Sequence, residues 1–301
     1  MGTWSQLSKE ISETVQKVGE SIVTIQAGAG TATGIVVDEN TILTSAHAIA
    51  EETKIRAFQT PDEPVNLTML GTDYGCDLAL LSANGKIGAP ARFAENPQLA
   101  VGDLVIAIAR TRRGNLVASS GILSGLMGEW HTYRGKKIEA FIRPDLTLYR
   151  GFSGGALVGA DQRIIGMNSA ALRRGSPLVL PYATIQRVSS VLREKGYVPG
   201  PYLGLGLQPL EIPQSLKQKL NISEKAAALV VHVATSSPAD EAGVMIGDVL
   251  LSIADHHFGE EQTSSILSRL APGQKAGIMG LRGGQRFTAD VVIGERPRAR
   301  G

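Results

Sequence analysis

A mainly β chain with two hydrophobic cores is what this sequence predicts, and three observations carry the prediction. Its 301 residues are enough for two cores rather than one. Hydrophobic residues make up 43% and charged residues 19%, the balance of a folded rather than a disordered chain. With 35 glycines in the whole chain and few long apolar stripes at helical spacing, the first two-thirds reads as many short strands joined by turns.

The elements follow in order. Leu7, Ile11, Val15, Val18 and Ile22 recur at helical spacing, so residues 3–18 read as an amphipathic helix, with Thr3 and Gln6 as a capping box and Gly19 as the stop. Residues 21–25, 34–37, 42–44, 54–58, 67–71 and 77–81 read as the strands of a first barrel, and a second barrel runs from Leu104 to about Tyr182. Residues 184–195 form a closing helix with Ile185, Val188, Val191 and Leu192 on one face. Thus residues 1–195 form one domain, the Gly- and Pro-rich residues 196–201 a linker, 202–295 a second domain and 296–301 a tail. In the second domain, residues 228–233 and 249–253 are strands. Residues 238–242 and 263–270 are helices, and 277–281 and 287–293 form a hairpin across Arg282-Gly283-Gly284-Gln285.

Chemistry concentrates at Arg150-Gly151-Phe152-Ser153-Gly154-Gly155. Glycines let the backbone turn tightly around a serine hydroxyl, so the Gly151 and Ser153 amides can face a developing oxyanion, with the Phe152 backbone completing the turn. A serine needs a base, and a base needs an orienting carboxylate. His47 ends the apolar run Thr41-Ile42-Leu43-Thr44-Ser45-Ala46, and Asp77 heads the run Leu78-Ala79-Leu80-Leu81. The order His47, Asp77, Ser153 is that of the chymotrypsin class. The same serine also fits the G-x-S-x-G elbow of α/β-hydrolases, but an elbow must lead into a helix, with acid and histidine downstream. Here residues 156–158, 159–163 and 164–167 read as strand, turn, strand.

With these pieces in place, the sequence resembles the trypsin-like serine proteases of the HtrA/Deg family along almost its whole length. The matching stretches are Thr33-Gly34-Ile35-Val36-Val37, Ile42 through His47, Asp77 through Leu81, Val101 through Ile108, Ser120 through Ser124, Gly151 through Leu157 and Ile164 through Asn168. Tyr202-Leu203-Gly204-Leu205 and Ser237-Pro238-Ala239 through Leu250 look like the PDZ domain such proteases carry. The resemblance implies a chymotrypsin-like double β-barrel with His47 and Asp77 on one barrel and Ser153 on the other. It implies a serine endopeptidase acting on unfolded polypeptides, and a PDZ domain taking hydrophobic C-terminal peptides at Tyr202, Leu203, Gly204 and Leu205. It also implies a homotrimer or higher oligomer formed through the N-terminal segment, where Trp4 and Leu7 lie. The specificity pocket would include Thr147, six positions before the nucleophile, with Asn168 and Ser169; an uncharged pocket favours Val, Ala or Leu, whereas Asp145 brought into it would favour Lys or Arg.

Two departures from the family pattern matter. Phe152 stands where Asn is usual, and Tyr149-Arg150 where Asn-Pro is usual. A bulky ring in the oxyanion turn predicts weak or ligand-regulated activity, with a peptide-binding or chaperone-like protein on a protease scaffold as the alternative.

Composition excludes other classes. A net charge of +2 gives no reason to expect nucleic acid or an anionic membrane, and Arg296, Arg298 and Arg300 read as a solvated tail. The single cysteine, Cys76, excludes an internal disulfide and reads as a small buried hydrophobe. His256-His257 lacks the spacing that puts two imidazoles on one helix face, so neither metal nor cofactor is expected. His232, among valines, reads as structural. No stretch reaches membrane-spanning length, and residues 1–20 lack the basic and apolar regions of a signal peptide. A cytoplasmic protein is therefore expected as the sequence stands, or a periplasmic or other extracytoplasmic one if an export signal has been removed.

Overall fold

The computed structural model describes residues 2–49, 54–132, 134–173, 177–220, 222–258, 266–267 and 269–295. Two units divide the chain: Met1–Tyr133 with Lys137–Val198, and Arg134–Lys136 with Pro199–Gly301.

The first unit opens with helix α1, Thr3–Gly19, whose N-cap is Gly2 without any side-chain cap. The expected capping box does not form, because the helix begins one residue early: Gly2, which has no side chain, is the N-cap, and Thr3 already lies inside the helix. Val18 is buried, Ile11 and Val15 pack against the core, and Trp4 stands 84% exposed.

Six strands then close the first barrel: β1 Ile22–Ala27, β2 Gly30–Asp38, β3 Thr41–Thr44, β4 Ile55–Phe58, β5 Val65–Asp73 and β6 Leu78–Ala83. Their hydrogen-bonded order is β1-β2-β3-β6-β5-β4, with β1 pairing β4 to close the ring. Val23, Ile25, Val36, Ile42 and Leu81 fill it. These β-branched and leucine side chains suit a pleated wall that is buried on its inner face.

The second barrel is built from β7 Leu104–Arg110, β8 Leu116–Met127, β11 Phe141–Asp145, β12 Ala156–Val158, β13 Ile164–Ser169 and β14 Leu178–Pro181. A short ribbon of β9 Trp130–His131 and β10 Lys137–Ile138 is inserted before β11. Closure follows the order β11-β14-β13-β12-β7-β8. Val105, Leu123, Ile142, Leu157, Ile165 and Val179 lie in its core. A further apolar cluster, including Ile35, Leu43, Leu78, Ile108, Ala156 and Met167, joins the two barrels, and the expected buried Cys76 belongs to it.

Helix α2, Tyr182–Lys195, closes the unit with Ile185, Val188 and Leu192 buried. It ends at Gly196, whose left-handed φ of 74° lets its amide return to the Leu192 carbonyl. Arg110 ties the first strand and first helix to the second barrel, because its guanidinium donates to the carbonyls of Ile22, Gly114 and Gly19 at 2.5, 2.5 and 2.9 Å.

In the second unit, β15 Pro201–Tyr202 pairs β22 Gly294–Glu295. The main sheet runs β16 Leu205–Glu211, β17 Ala226–Val233, β18 Val249–Ile253, β20 Lys275–Arg282 and β21 Gln285–Val292, with β19 His256–His257 beside β18. The hairpin between β20 and β21 turns at Gly283 and Gly284, both with positive φ (56° and 82°), the two-residue turn that matches strand twist. Helix α4, Pro238–Glu241, is capped by the Ser237 side chain, as its short Ser-Pro start suggests. Helix α3, Gln214–Leu220, has no counterpart in the sequence reading. The helix expected over 263–270 falls largely outside the described residues, although Ile266 and Leu270 are buried in the core. The tail at 296–301 also lies outside them.

Candidate active site

His47 occupies a single 3-10 turn, Ala46–Ala48, directly after β3, and Asp77 immediately precedes β6. Strands β3 and β6 are paired neighbours with Thr44 opposite Ala79, so one strand ends where the next begins and the two side chains meet. Asp77 takes φ 56°, a left-handed conformation that Asp tolerates better than most residues. His47 Nδ1 lies 2.8 and 2.9 Å from the two Asp77 oxygens, and the His47 amide donates to the same carboxylate at 3.0 Å. Asp77 is 3% exposed, and the imidazole retains 41% exposure. The hydrogen bond to Asp77 raises the His47 pKa; burial opposes it, and attraction to the carboxylate adds to it, leaving the group above its ordinary value.

Ser153 comes from the second barrel, on the turn between β11 and β12. Gly151 and Gly154 take φ of 95° and 85°, where any larger residue is strained. Phe152 donates its amide to the Tyr149 carbonyl at 3.0 Å, so of the three residues expected at the oxyanion hole it is the one whose N–H is spent. Among the described residues, no hydrogen bond takes the amides of Gly151 or Ser153. The Phe152 ring is 3% exposed and sits in the core of the second barrel with Val105, Leu123 and Ile142. The ring therefore anchors the turn from behind. The Ser153 hydroxyl accepts from the Ala170 amide at 3.3 Å, and no hydrogen bond among the described residues joins it to His47. Such a bond commonly tightens only when substrate is bound.

Of the residues expected at the specificity pocket, Thr147 is exposed in the β11–β12 turn. Asn168 is fully buried and its side-chain amide donates to the Ala156 carbonyl at 2.8 Å. Ser169 turns its hydroxyl to Asp77 at 2.5 Å, giving that carboxylate a third partner residue group besides the His47 ring and amide. Sequence spacing alone could not have found this contact, since 92 residues separate the pair. A cavity of about 580 Å³, lined in part by Glu95, Leu126, Met127, Ile165 and Tyr182, shares no residue with this constellation. Among the described residues no cluster of His, Cys, Asp and Glu could hold a metal.

In the second unit, Leu203 is buried and its carbonyl accepts from Ala239 at 3.0 Å, while the Gly204 carbonyl accepts from Ala234 at 2.8 Å. Gly204 takes φ 78°, and a Cβ there would overlap Ser237. The Leu203 and Gly204 amides take no hydrogen bond among the described residues. Leu205 begins β16, which is the terminal strand of its sheet. Free amides beside an open strand edge are what strand addition of a peptide with its carboxylate requires.

Two antiparallel barrels sharing a His–Asp pair and a serine turn, followed in the chain by a sheet with an open edge at β16, define a trypsin-like peptidase scaffold with an appended PDZ domain. Residues 32–167 match the Trypsin-like peptidase domain family and residues 201–293 the PDZ domain family. The protein "Probable periplasmic serine endoprotease DegP-like" of Hahella chejuensis is 27% identical over 279 residues, covering 90% of this chain and 58% of that one. Its namesake in Rickettsia conorii is 29% identical over 231 residues, covering 74% and 45%. Among solved structures, "HtrA-type protease AlgW with tripeptide" is 25% identical with a TM-score of 0.67, covering 96% of this chain and 98% of that one. The serine endoprotease from Yersinia pestis is 22% identical with a TM-score of 0.68, covering 95% and 97%, a likeness of fold. The chain thus carries a trypsin-like peptidase domain and a PDZ domain and is similar over most of its length to DegP-like and HtrA-type proteases. It spans somewhat more than half the length of the curated relatives named first among its matches.

Proposed function

We propose that this chain is a serine endopeptidase cutting unfolded polypeptides, with a PDZ domain that takes apolar C-terminal peptides. The observation that carries the reading is the His47–Asp77 pair, bonded at 2.8 and 2.9 Å, facing a serine turn with two unspent amides. Ser153 Oγ attacks the peptide carbonyl carbon while His47 Nε2 takes its proton. Asp77 holds the ring with Nδ1–H toward the carboxylate and stabilises the imidazolium. The Gly151 and Ser153 amides receive the oxyanion, and His47 then returns the proton to the leaving amine. Water repeats the cycle on the acyl-enzyme.

The buried Phe152 ring removes the steric ground for the inactive alternative, since it points into the second barrel. Specificity for Val, Ala or Leu is part of the same reading and rests on the uncharged Thr147. Relatives named as periplasmic support an extracytoplasmic location and give none to a cytoplasmic one. No helix among the described residues is long and apolar enough to cross a membrane.

The test is digestion of an unfolded protein, read by mass spectrometry, together with fluorophosphonate labelling. The parent should label at Ser153 and cut after small aliphatic residues. Ser153→Ala should lose turnover by ~10⁶ and the label altogether. A parent that neither labels nor cuts, with or without C-terminal peptides, would leave a peptide-binding protein. Assembly as a homotrimer through Trp4 and Leu7 has support in the 84% exposure of Trp4, which does not pack on its own barrel. Light scattering should give a trimer for the parent and a smaller species for Trp4→Ala; a parent that is a monomer at micromolar concentration removes the trimer.

A further inference from the structure

The peptide unit between Gly151 and Phe152 is held at both ends. Its N–H donates to the Tyr149 carbonyl at 3.0 Å, and its carbonyl accepts the Thr33 hydroxyl at 2.7 Å. Thr33 lies on β2 of the first barrel and is fully buried. A hydroxyl has one proton to give, and the Gly151 oxygen is the nearer acceptor, the Arg110 carbonyl standing at 3.4 Å. The Thr33 oxygen in turn accepts the Arg110 amide at 3.1 Å, which fixes the hydroxyl's direction. Thr33 is itself immobilised: its amide donates to the Ser153 carbonyl at 3.2 Å and its carbonyl accepts the Thr44 hydroxyl at 2.6 Å.

Holding both ends of a peptide plane sets the torsions on either side of it, ψ of Gly151 and φ of Phe152. Gly151 otherwise has the widest choice of any residue. Nothing lies within 4 Å of where its Cβ would be, so packing does not restrain it. On the far side the turn is fastened by the Phe152 ring in the second barrel's core. The two unspent amides, those of Gly151 and Ser153, flank this fastened plane.

We propose that Thr33 is a positioning residue for the oxyanion hole: its hydroxyl, reaching from the opposite barrel, holds the Gly151 carbonyl so that the Gly151 and Ser153 amides converge. This rests on the endopeptidase reading above. Thr33 touches no substrate. It acts by denying the glycine its other conformations, and a donor displaced by about an ångström costs on the order of 10²-fold in rate.

The experiment compares Thr33→Val, which keeps the shape and removes the hydroxyl, with Thr33→Ser, which keeps the hydroxyl. Thr33→Val should lower kcat by ~30-fold with KM within about twofold, a fraction of the loss on deleting an oxyanion donor. Thr33→Ser should stay within about threefold of the parent in kcat. Affinity for a peptide aldehyde, which forms an oxyanion on Ser153, should fall in step with kcat, whereas affinity for the matching peptide alcohol should not. Parallel loss of aldehyde and alcohol binding, equal kcat in parent and Thr33→Val, or failure of Thr33→Ser to restore the rate would each overturn the inference. Thr33→Ala gives the same comparison if the valine variant does not fold. If neither folds, Thr33 is structural and the inference fails. An inactive parent would instead overturn the endopeptidase reading.

Discussion

The two barrels hold their shares of the site by different means. In the first, His47 and Asp77 are fixed by side-chain chemistry: a buried carboxylate takes the imidazole, a backbone amide and the Ser169 hydroxyl. In the second, Ser153 is fixed chiefly by backbone shape, through two left-handed glycines and the bonds Gly154 N–H to Asn168 O at 2.9 Å and Gly155 N–H to Phe152 O at 3.0 Å, with the Phe152 ring and the Thr33 hydroxyl as its side-chain ties. Electrostatic attachment tolerates small backbone shifts, because a charged hydrogen bond follows its partner. Shape-based attachment does not. The geometry of the first half should therefore survive loss of its charge, and that of the second should fail on addition of a single carbon.

Asp77→Asn tests the first statement and carries the largest expected effect of the comparison. The amide still fills the site between His47 and Ser169, but it presents a donor where the imidazole needs an acceptor, so the ring takes the wrong tautomer. By analogy with the same change in a trypsin-type triad, kcat should fall by ~10⁴ while melting and peptide binding stay close to the parent. A loss under tenfold at neutral pH would mean that the contact does not orient the base.

Gly154→Ala tests the second. Its Cβ would overlap the Thr33 carbonyl oxygen and crowd the Thr44 hydroxyl, both on the first barrel, and φ 85° is itself strained for alanine. The turn must move, and with it Ser153 and its amide, so kcat/KM should fall by ~10³ or less but more than ~10². Gly151→Ala makes the control, since open space surrounds its Cβ position and only the φ strain remains. Equal losses at both glycines would mean that contact across the barrels does not hold the turn.

This difference also decides what could be read from the sequence. His47 and Asp77 were legible because each sits at the end of an apolar strand, and strand ends in a barrel converge. The turn that carries Ser153, between β11 and β12, was legible because three glycines around one serine interrupt any strand or helix. The role of the Phe152 ring was not, because a residue pattern does not tell whether a side chain at a turn faces the cleft or the core behind it. Ser169 read as pocket wall, and its bond to Asp77 was not foreseen: strand alternation gives two faces but not the partner across 92 residues. Thr33 stood within the matched stretch around Gly34 without any sign of its reach to Gly151, a contact spanning 118 positions. The helix cap failed for a local reason, since the helix starts one residue early and its N-cap is Gly2, which has no side chain to offer.

The smallest effect is on pH dependence, and it separates the two kinds of attachment most cleanly. In the proposed mechanism His47 must be neutral to accept the Ser153 proton, so activity should fall as pH drops through its pKa. The hydrogen bond to Asp77 raises that pKa above the ordinary 6.5, and burial only partly offsets the rise. The acid limb of kcat/KM should accordingly have its midpoint above 6.5 in the parent and move to lower pH in Asp77→Asn. In Gly154→Ala the rate should fall but the midpoint should stay, because that substitution touches neither partner of the pair. Stability runs the other way. A histidine whose folded pKa is raised stabilises the fold most fully below its unfolded pKa, and that contribution is lost as pH rises through the folded value, so the enzyme should give up a little stability over the range in which it gains activity. With the imidazole 41% exposed, solvent screening keeps this stability term small. An acid limb that moves in Gly154→Ala and not in Asp77→Asn would reverse the division of labour between the barrels.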